Sequence, residues 1–229
     1  MPSWQTYLAS SLVFLTSLMP VCAVADSEMD PTILLEKMEL AYDNVEDYQA
    51  NVEVITSKSD GSFDTEEFLY SFKKPRMIRL DLGPPHPGVI LVYPDRNGKV
   101  VVRPSPLLPF FKLHLELDNR LLASSSGQQI DQTDLGLLIR NIGHSLTDHR
   151  KGPVEVEEKE GTIEIKVLAD NHFRQGVTTI YRFFIDRGLW LPVKVEESHS
   201  AGRLERTVTF RNLRINIGIR ESLFRLDGD

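Results

Sequence analysis

Six histidines and a run of three serines are the side chains here whose types allow metal, acid–base or nucleophilic chemistry. His144 and Asp148 stand four apart with His149 adjacent, a spacing that sets two metal ligands on one side of a helix if the helix reaches that far. A polar helix end accounts for the same spacing, and no metal site is expected. His86 lies in a Pro/Gly turn, while His114, His172 and His199 are isolated along the chain. Ser124, Ser125 and Ser126 run into Gly127 as loop serines do, and no Gly-x-Ser-x-Gly elbow is present to make one a nucleophile. Neither a phosphate-binding glycine loop nor a carboxylate pair in recognisable context occurs. The expectation is a protein that is not an enzyme, with no catalytic residue, no cofactor and no metal.

What must position any site begins after the amino terminus. Tyr7 to Ala25 is a hydrophobic stretch closing on Ala23-Val24-Ala25, followed by Asp26-Ser27-Glu28. An apolar core ending in a small-x-small site is the pattern of a secretory signal peptide, here residues 1–25 with cleavage after Ala25. No Lys or Arg precedes that core, and the alternative is an uncleaved amino-terminal anchor. The only cysteine, Cys22, follows Pro20 and Val21 where a lipoprotein signal wants small residues, so acylation is not expected. Cleavage leaves a mature chain with no cysteine, and a periplasmic domain that must be held by core burial alone.

Residues 26–229 are long enough to bury a sizeable core, and no linker or repeat divides them, so one domain is expected. The net charge of −7 is spread along the chain without a basic stripe, which excludes nucleic acid as a partner. No second apolar segment has membrane-spanning length, so the mature protein is expected not to span a membrane and to be a monomer.

Asp30-Pro31 opens the first helix as N-cap and first helical residue, and Leu34, Met38, Ala41 and Val45 make its apolar stripe. Strands follow at Tyr48 to Ser57 and Phe63 to Lys74, joined by a Ser59-Asp60-Gly61-Ser62 turn. Phe68, Tyr70 and Phe72 alternate along the second strand and Ile78, Leu80 and Leu82 along the third, while Val89 to Tyr93 is almost continuously apolar. Such strands belong to a sheet covered on both faces.

Pro104, Pro106 and Pro109 then interrupt a segment carrying Leu107, Leu108, Phe110 and Phe111. The prolines exclude an ordinary central strand, and the four large apolar residues are out of keeping with a solvated loop. They either complete the core or form a movable rim over a cavity. Alternating residues from Lys112 to Asp118 suggest an edge strand. A second helix is capped by Asp131 or Asp134 and carries Leu135, Leu138, Ile139, Ile142 and Leu146 at helical spacing, weakened by Gly136 and Gly143. Five strands follow to Ile215, in an antiparallel meander with turns at Gly161, Gly188 and Gly202. The fold class is therefore α+β, mainly β: one curved antiparallel sheet of roughly ten strands forming an incomplete barrel, with two helices covering the concave face.

The order of these motifs resembles the LolA-like family of periplasmic lipoprotein carriers over most of the mature chain. It is carried by Phe68 to Pro75, Ile78 to Leu82, Pro84 to Pro87, Val89 to Tyr93, Asp95 to Lys99 and Val100 to Pro104. The later part, from Thr178 through Asp186-Arg187-Gly188 and Leu191-Pro192-Val193 to Leu223-Phe224, resembles a secreted branch of the same family. The resemblance implies a half-barrel with a helical lid whose cavity takes lipid acyl chains. It places Phe68, Tyr70, Phe72, Ile78, Leu80, Leu138 and Ile142 in that cavity and Leu107, Leu108, Phe110 and Phe111 at its rim. In the lipoprotein carrier an Arg before the corresponding Pro latches the lid. Here Lys74 stands there, lacking the planar fork of Arg, and is either a latch or, with Lys73, a solvated strand end. A relative that senses mislocalised lipoproteins carries a further carboxy-terminal domain, which is not expected here.

Two functions follow as expectations. One is a periplasmic carrier for lipid, lipoprotein acyl chains or a similar amphiphile, exchanging with inner- or outer-membrane donor and acceptor proteins. The other is an envelope protein-interaction or sensor module with a filled core and no ligand.

Overall fold

The computed structural model describes residues 29–108, 110–122, 128–147 and 152–226. The expected signal peptide with Cys22, the Ser124 to Ser126 run, Pro109, Asp148 and His149 lie outside the described residues.

Helix α1 (Pro31–Asp43) begins as its sequence dictates, with the Asp30 carboxylate accepting from Thr32 N at 2.8 Å and Pro31 at the first helical position. Leu34 and Met38 from its apolar stripe are fully buried. The strands are β1 (Asp47–Ser57), β2 (Phe63–Lys73), β3 (Met77–Leu82), β4 (Ile90–Tyr93), β5 (Val100–Arg103), β6 (Leu113–Leu115), β7 (Glu155–Lys159), β8 (Thr162–Asp170), β9 (Thr178–Asp186), β10 (Leu191–His199) and β11 (Leu204–Ile215). Helix α2 (Leu135–Thr147) lies between β6 and β7 in the chain.

All strands join one open sheet in the order β6-β5-β4-β3-β2-β1-β11-β10-β9-β8-β7. Each neighbour follows its partner in sequence except at the centre, where β1 pairs antiparallel with β11, Val52 opposite Phe210 and Val54 opposite Val208. Two meanders are thereby joined by their longest strands. The sheet has eleven strands, and the expected edge strand shortens to Leu113–Leu115 at one border. This open antiparallel sheet with two helices in its concavity matches the expected fold class.

The concave face is covered along the sheet, and the other face at β3 to β5. On the concave face α1 and α2 bury Tyr48, Ala50, Val52, Tyr70, Phe72, Ile78, Ile165, Phe183 and their neighbours in one core. On the other face Ile90, Val92 and Val101 pack with Ile219, Phe224 and Leu226 from the segment after β11. That segment returns across the outside of β3 to β5 and is tied down by polar contacts. The buried Asp47 carboxylate accepts from Ile217 N at 2.8 Å and Ile219 N at 2.9 Å, Lys73 Nζ donates to Ile219 O, and Arg79 Nη1 donates to Leu223 O. The nearly continuous apolar run in β4 is thus accounted for by a covering that arrives from the far end of the chain.

The N-cap of α2 is Asp134, whose Oδ1 accepts from Leu137 N at 3.0 Å; Asp131 instead pairs with Arg76 at 2.8 Å. Gly136 and Gly143 are where α1 and α2 touch. A Cβ on Gly136 would fall inside the Tyr42 ring, 2.6 Å from Cζ, and one on Gly143 would sit 3.1 Å from Leu35 Cδ2.

Candidate functional site

The period-2 register aims alternate side chains of the central strands into the concavity: Val52 and Val54 from β1, Phe68 and Tyr70 from β2, Tyr181 and Phe183 from β9, Val195 from β10, Val208 and Phe210 from β11. Helix α2 lies over them with Leu138 and Asn141, and between helix and sheet remains a cavity of about 80 Å³. An apolar cavity of about 150 Å³ accepts one benzene, so this one has about half the volume of a cavity that takes a single aromatic ring.

Three tyrosines hold the amino-terminal end of α2 over the sheet. The Tyr48 hydroxyl accepts from Leu135 N at 3.0 Å, the Tyr42 hydroxyl donates to Asp134 Oδ1 at 3.1 Å, and the Tyr70 hydroxyl meets Thr133 Oγ1 at 3.0 Å. Burial raises the pKa of all three, with the Asp134 charge adding to the rise, so they remain neutral hydroxyls. Tyr48 also stacks on Tyr70 and Phe72, at centroid distances of 5.7 and 5.0 Å.

The second half of α2 is held by His172, whose Nε2 lies 2.8 Å from Ser145 Oγ. Ser145 itself donates to Asn141 O, so the imidazole is the donor to the serine. His172 stacks on Tyr181 at 4.4 Å. Burial, assisted by the nearby His144, lowers its pKa to about 4, and the ring is neutral at pH 7. Among the described residues no group of three or more His, Cys, Asp and Glu could hold a metal ion.

Of the site residues read from sequence, Phe68, Tyr70 and Leu138 line the cavity. Phe72, Ile78 and Ile142 are buried in the surrounding core, and Leu80 packs at its margin. Leu107, Leu108, Phe110 and Phe111 lie outside the lining, at 87%, 57%, 96% and 50% exposure. These four residues lie in the connection between β5 and β6, at one border of the sheet.

Lys74 stands at the carboxy-terminal end of α1, where its Nζ donates to Tyr42 O at 2.9 Å and Asp43 O at 3.0 Å and lies 4.8 Å from the Tyr42 ring centroid. A cation on the last carbonyls of a helix meets both their free lone pairs and the negative end of the macrodipole.

Sequence reasoning missed the lining from the second half of the chain. Its signal was there in the inward pairs Tyr181/Phe183 and Val208/Phe210, but only the β1–β11 pairing shows that they share a face with Val52 and Phe68.

The open sheet with two helices in its trough is the architecture that the LolA-like resemblance implied. Among solved structures the chain is similar to a LolA superfamily protein from Nitrosomonas europaea, at 12% identity and a TM-score of 0.40 over 86% of this chain and 98% of that one. It is likewise similar to a DUF1329 family protein from Desulfovibrio piger, at 10% identity and a TM-score of 0.46 over 85% and 95%. A third is the lipoprotein LppX from Mycobacterium tuberculosis, at 10% identity and a TM-score of 0.44 over 84% and 99%. No family model matches the sequence, and no curated protein does. Likeness at this level carries no argument about function, which has to come from the chain's own geometry. Among the described residues no helix is long and apolar enough to cross a membrane.

Proposed function

We propose that this protein is a non-enzymatic, exported carrier that binds the acyl chain of a lipid, lipoprotein or similar amphiphile beneath α2. The observation that supports it is the cavity between α2 and the sheet, largely apolar along the strands except for Glu197 and Arg206 at one end, and covered by a helix held at both ends through a few hydrogen bonds. Each buried methylene contributes on the order of 0.8 kcal/mol, so the three or so that fit the resting cavity give only about 2.4 kcal/mol. That is far short of useful affinity, and loading therefore requires α2 to lift and admit a longer chain. Lys74, on the carbonyls of α1, acts in this reading as the latch that keeps the neighbouring helix seated. The carrier works as a monomer in the periplasm after cleavage at Ala25.

The exposed Leu107, Leu108, Phe110 and Phe111 support a second reading, an envelope protein-interaction module in which this loop meets a protein partner. Native mass spectrometry with organic extraction, on protein exported to a periplasm and purified without detergent, separates the two. A reproducible bound lipid mass is the expected result for the carrier. A homogeneous ligand-free mass that also ignores added lipid overturns it in favour of protein interaction. Changing Phe110 and Phe111 to Ser then tests the loop as a rim: weaker loading at an unchanged melting temperature is expected, and normal loading removes the loop from the carrier's mechanism.

A further inference from the structure

The inward face of the central strands is not uniformly apolar. Along β11 the inward positions run Phe210, Val208, Arg206, and along β10 Val195 is followed by Glu197. The trough therefore passes from aromatic and aliphatic side chains to charged ones at a single end of the sheet. There Arg206 Nη1 pairs with Glu197 Oε1 at 3.2 Å, the two side chains only 11% and 8% exposed. Arg206 Nη2 reaches Gln128 Oε1 at 3.3 Å, and its buried Nε has no acceptor among the described residues.

A buried ion pair stabilises a fold little better than apolar residues of the same volume, so stability does not account for placing one inside a hydrophobic trough. An unpaired guanidinium donor is an added cost, which a carboxylate or phosphate oxygen would relieve.

Three residues of the cavity lining, Phe173, Glu197 and Arg206, also wall a second space of about 270 Å³ beside it. It is lined by four cations, Lys58, Arg174, Arg203 and Arg206, against two carboxylates, Glu197 and Glu205. Arg174 pairs with Glu205 at 2.6 Å, and Lys58 reaches Asp64 at 3.4 Å with both half exposed. Arg203 is exposed and has no ion-pair partner among the described residues. A largely apolar cavity thus adjoins, across one buried arginine, a vestibule of net positive charge.

We propose that the ligand is an anionic amphiphile, its chain beneath α2 and its carboxylate or phosphate headgroup in the vestibule of Lys58, Arg174, Arg203 and Arg206. This rests on the carrier reading and adds to it the charge and orientation of the ligand. The chain enters tail first, and the headgroup stops at Arg206.

Calorimetric titration of the full mature chain with decanoate, 1-decanol and decyltrimethylammonium at pH 7 and low salt tests it. Decanoate is expected to bind about tenfold or more tightly than decanol, with the cationic amphiphile weakest, and the preference is expected to shrink as salt is raised. In Arg203→Glu, a change at an exposed position that leaves the core intact, the decanoate-to-decanol ratio is expected to fall towards one. Equal binding of all three amphiphiles, or an unaltered ratio in Arg203→Glu, overturns the anionic assignment and leaves the carrier reading standing. Binding of none of them overturns both. Inorganic phosphate titrated alone distinguishes a lipid headgroup from a free anion: weak binding is expected, and phosphate binding as tight as decanoate overturns the amphiphile.

Discussion

The hydroxyl of Tyr48, in the middle of the sheet, accepts the backbone N–H of Leu135 at the first turn of α2, at 3.0 Å and with both residues fully buried. A helix's first N–H groups have no partners within the helix, and a sheet tyrosine here satisfies one of them. The bond ties the position of α2 to β1, the strand at which the two meanders join.

Removing that hydroxyl leaves a buried N–H unpaired without changing the packing of the ring. Tyr48→Phe is therefore expected to cost about 1–3 kcal/mol. Denaturant unfolding measures the loss, and amide exchange is expected to localise it to the first turn of α2. A loss below about 0.5 kcal/mol would mean that water reaches the Leu135 amide and α2 is not sealed there.

Gly136 and Gly143 separate two opposed effects. Alanine gains about 1 kcal/mol in helix propensity at either position. At Gly136 the added methyl displaces the Tyr42 ring, which is held by its bond to Asp134, and overpacking costs about 1–3 kcal/mol. Gly136→Ala should be net destabilising and should loosen α1 from α2. At Gly143 the neighbour is the tip of a flexible leucine, so Gly143→Ala should be neutral or slightly stabilising. Thermal unfolding of the two variants side by side checks the contrast.

Lys74 donates to the last two carbonyls of α1, those of Tyr42 and Asp43, the first of which also accepts from Val45 N. Lys74→Met keeps the apolar stem and removes the donors, with an expected cost of about 0.5–1 kcal/mol. Lys74→Arg should restore most of it. If Lys74 is the latch, the Met variant should also release bound lipid faster at nearly the same global stability, which a fluorescent-lipid off-rate reads. An unchanged off-rate makes the lysine a helix cap and nothing more.

His172 makes the fold sensitive to acid in a defined window. Its pKa is near 6.5 in the unfolded chain and is lowered to about 4 in the folded one by burial and by His144. Between these values the unfolded state binds the extra proton, so this group's contribution to stability is complete above about pH 6.5 and declines as pH falls towards about 4. Protonation also charges a ring stacked on Tyr181 and bonded to Ser145 of α2. His172→Gln is expected to flatten the pH dependence of unfolding in this range, although it loses stability at pH 7. A wild-type profile with no slope between pH 4 and 6.5 would show that the ring is solvated.

Local signals in the sequence determined most of the elements. Asp30-Pro31 marks a helix start whatever lies around it, because capping is settled within four residues. The alternation in Phe68 to Phe72 and the near-continuous run in β4 state how many faces of a strand are buried, and both statements hold in the structure. Tertiary structure alone decided what does the burying. That the outer face of β4 is covered by Ile219, Phe224 and Leu226 depends on contacts spanning more than a hundred residues, which no local period encodes. The same holds for the candidate site. Phe68, Tyr70 and Leu138 were legible as apolar, with their place in a cavity coming from the family resemblance, whereas nothing in the sequence singled out Arg206 and Glu197. Only the pairing of β11 with both β1 and β10 brings them onto one face, because strand register fixes which side a residue takes and pairing fixes which residues it meets there. The Leu107 to Phe111 segment marks the opposite limit. Its composition allowed either completion of the core or a rim over a cavity, and the exposure of Leu107, Leu108, Phe110 and Phe111 in the connection between β5 and β6 is set by the tertiary structure.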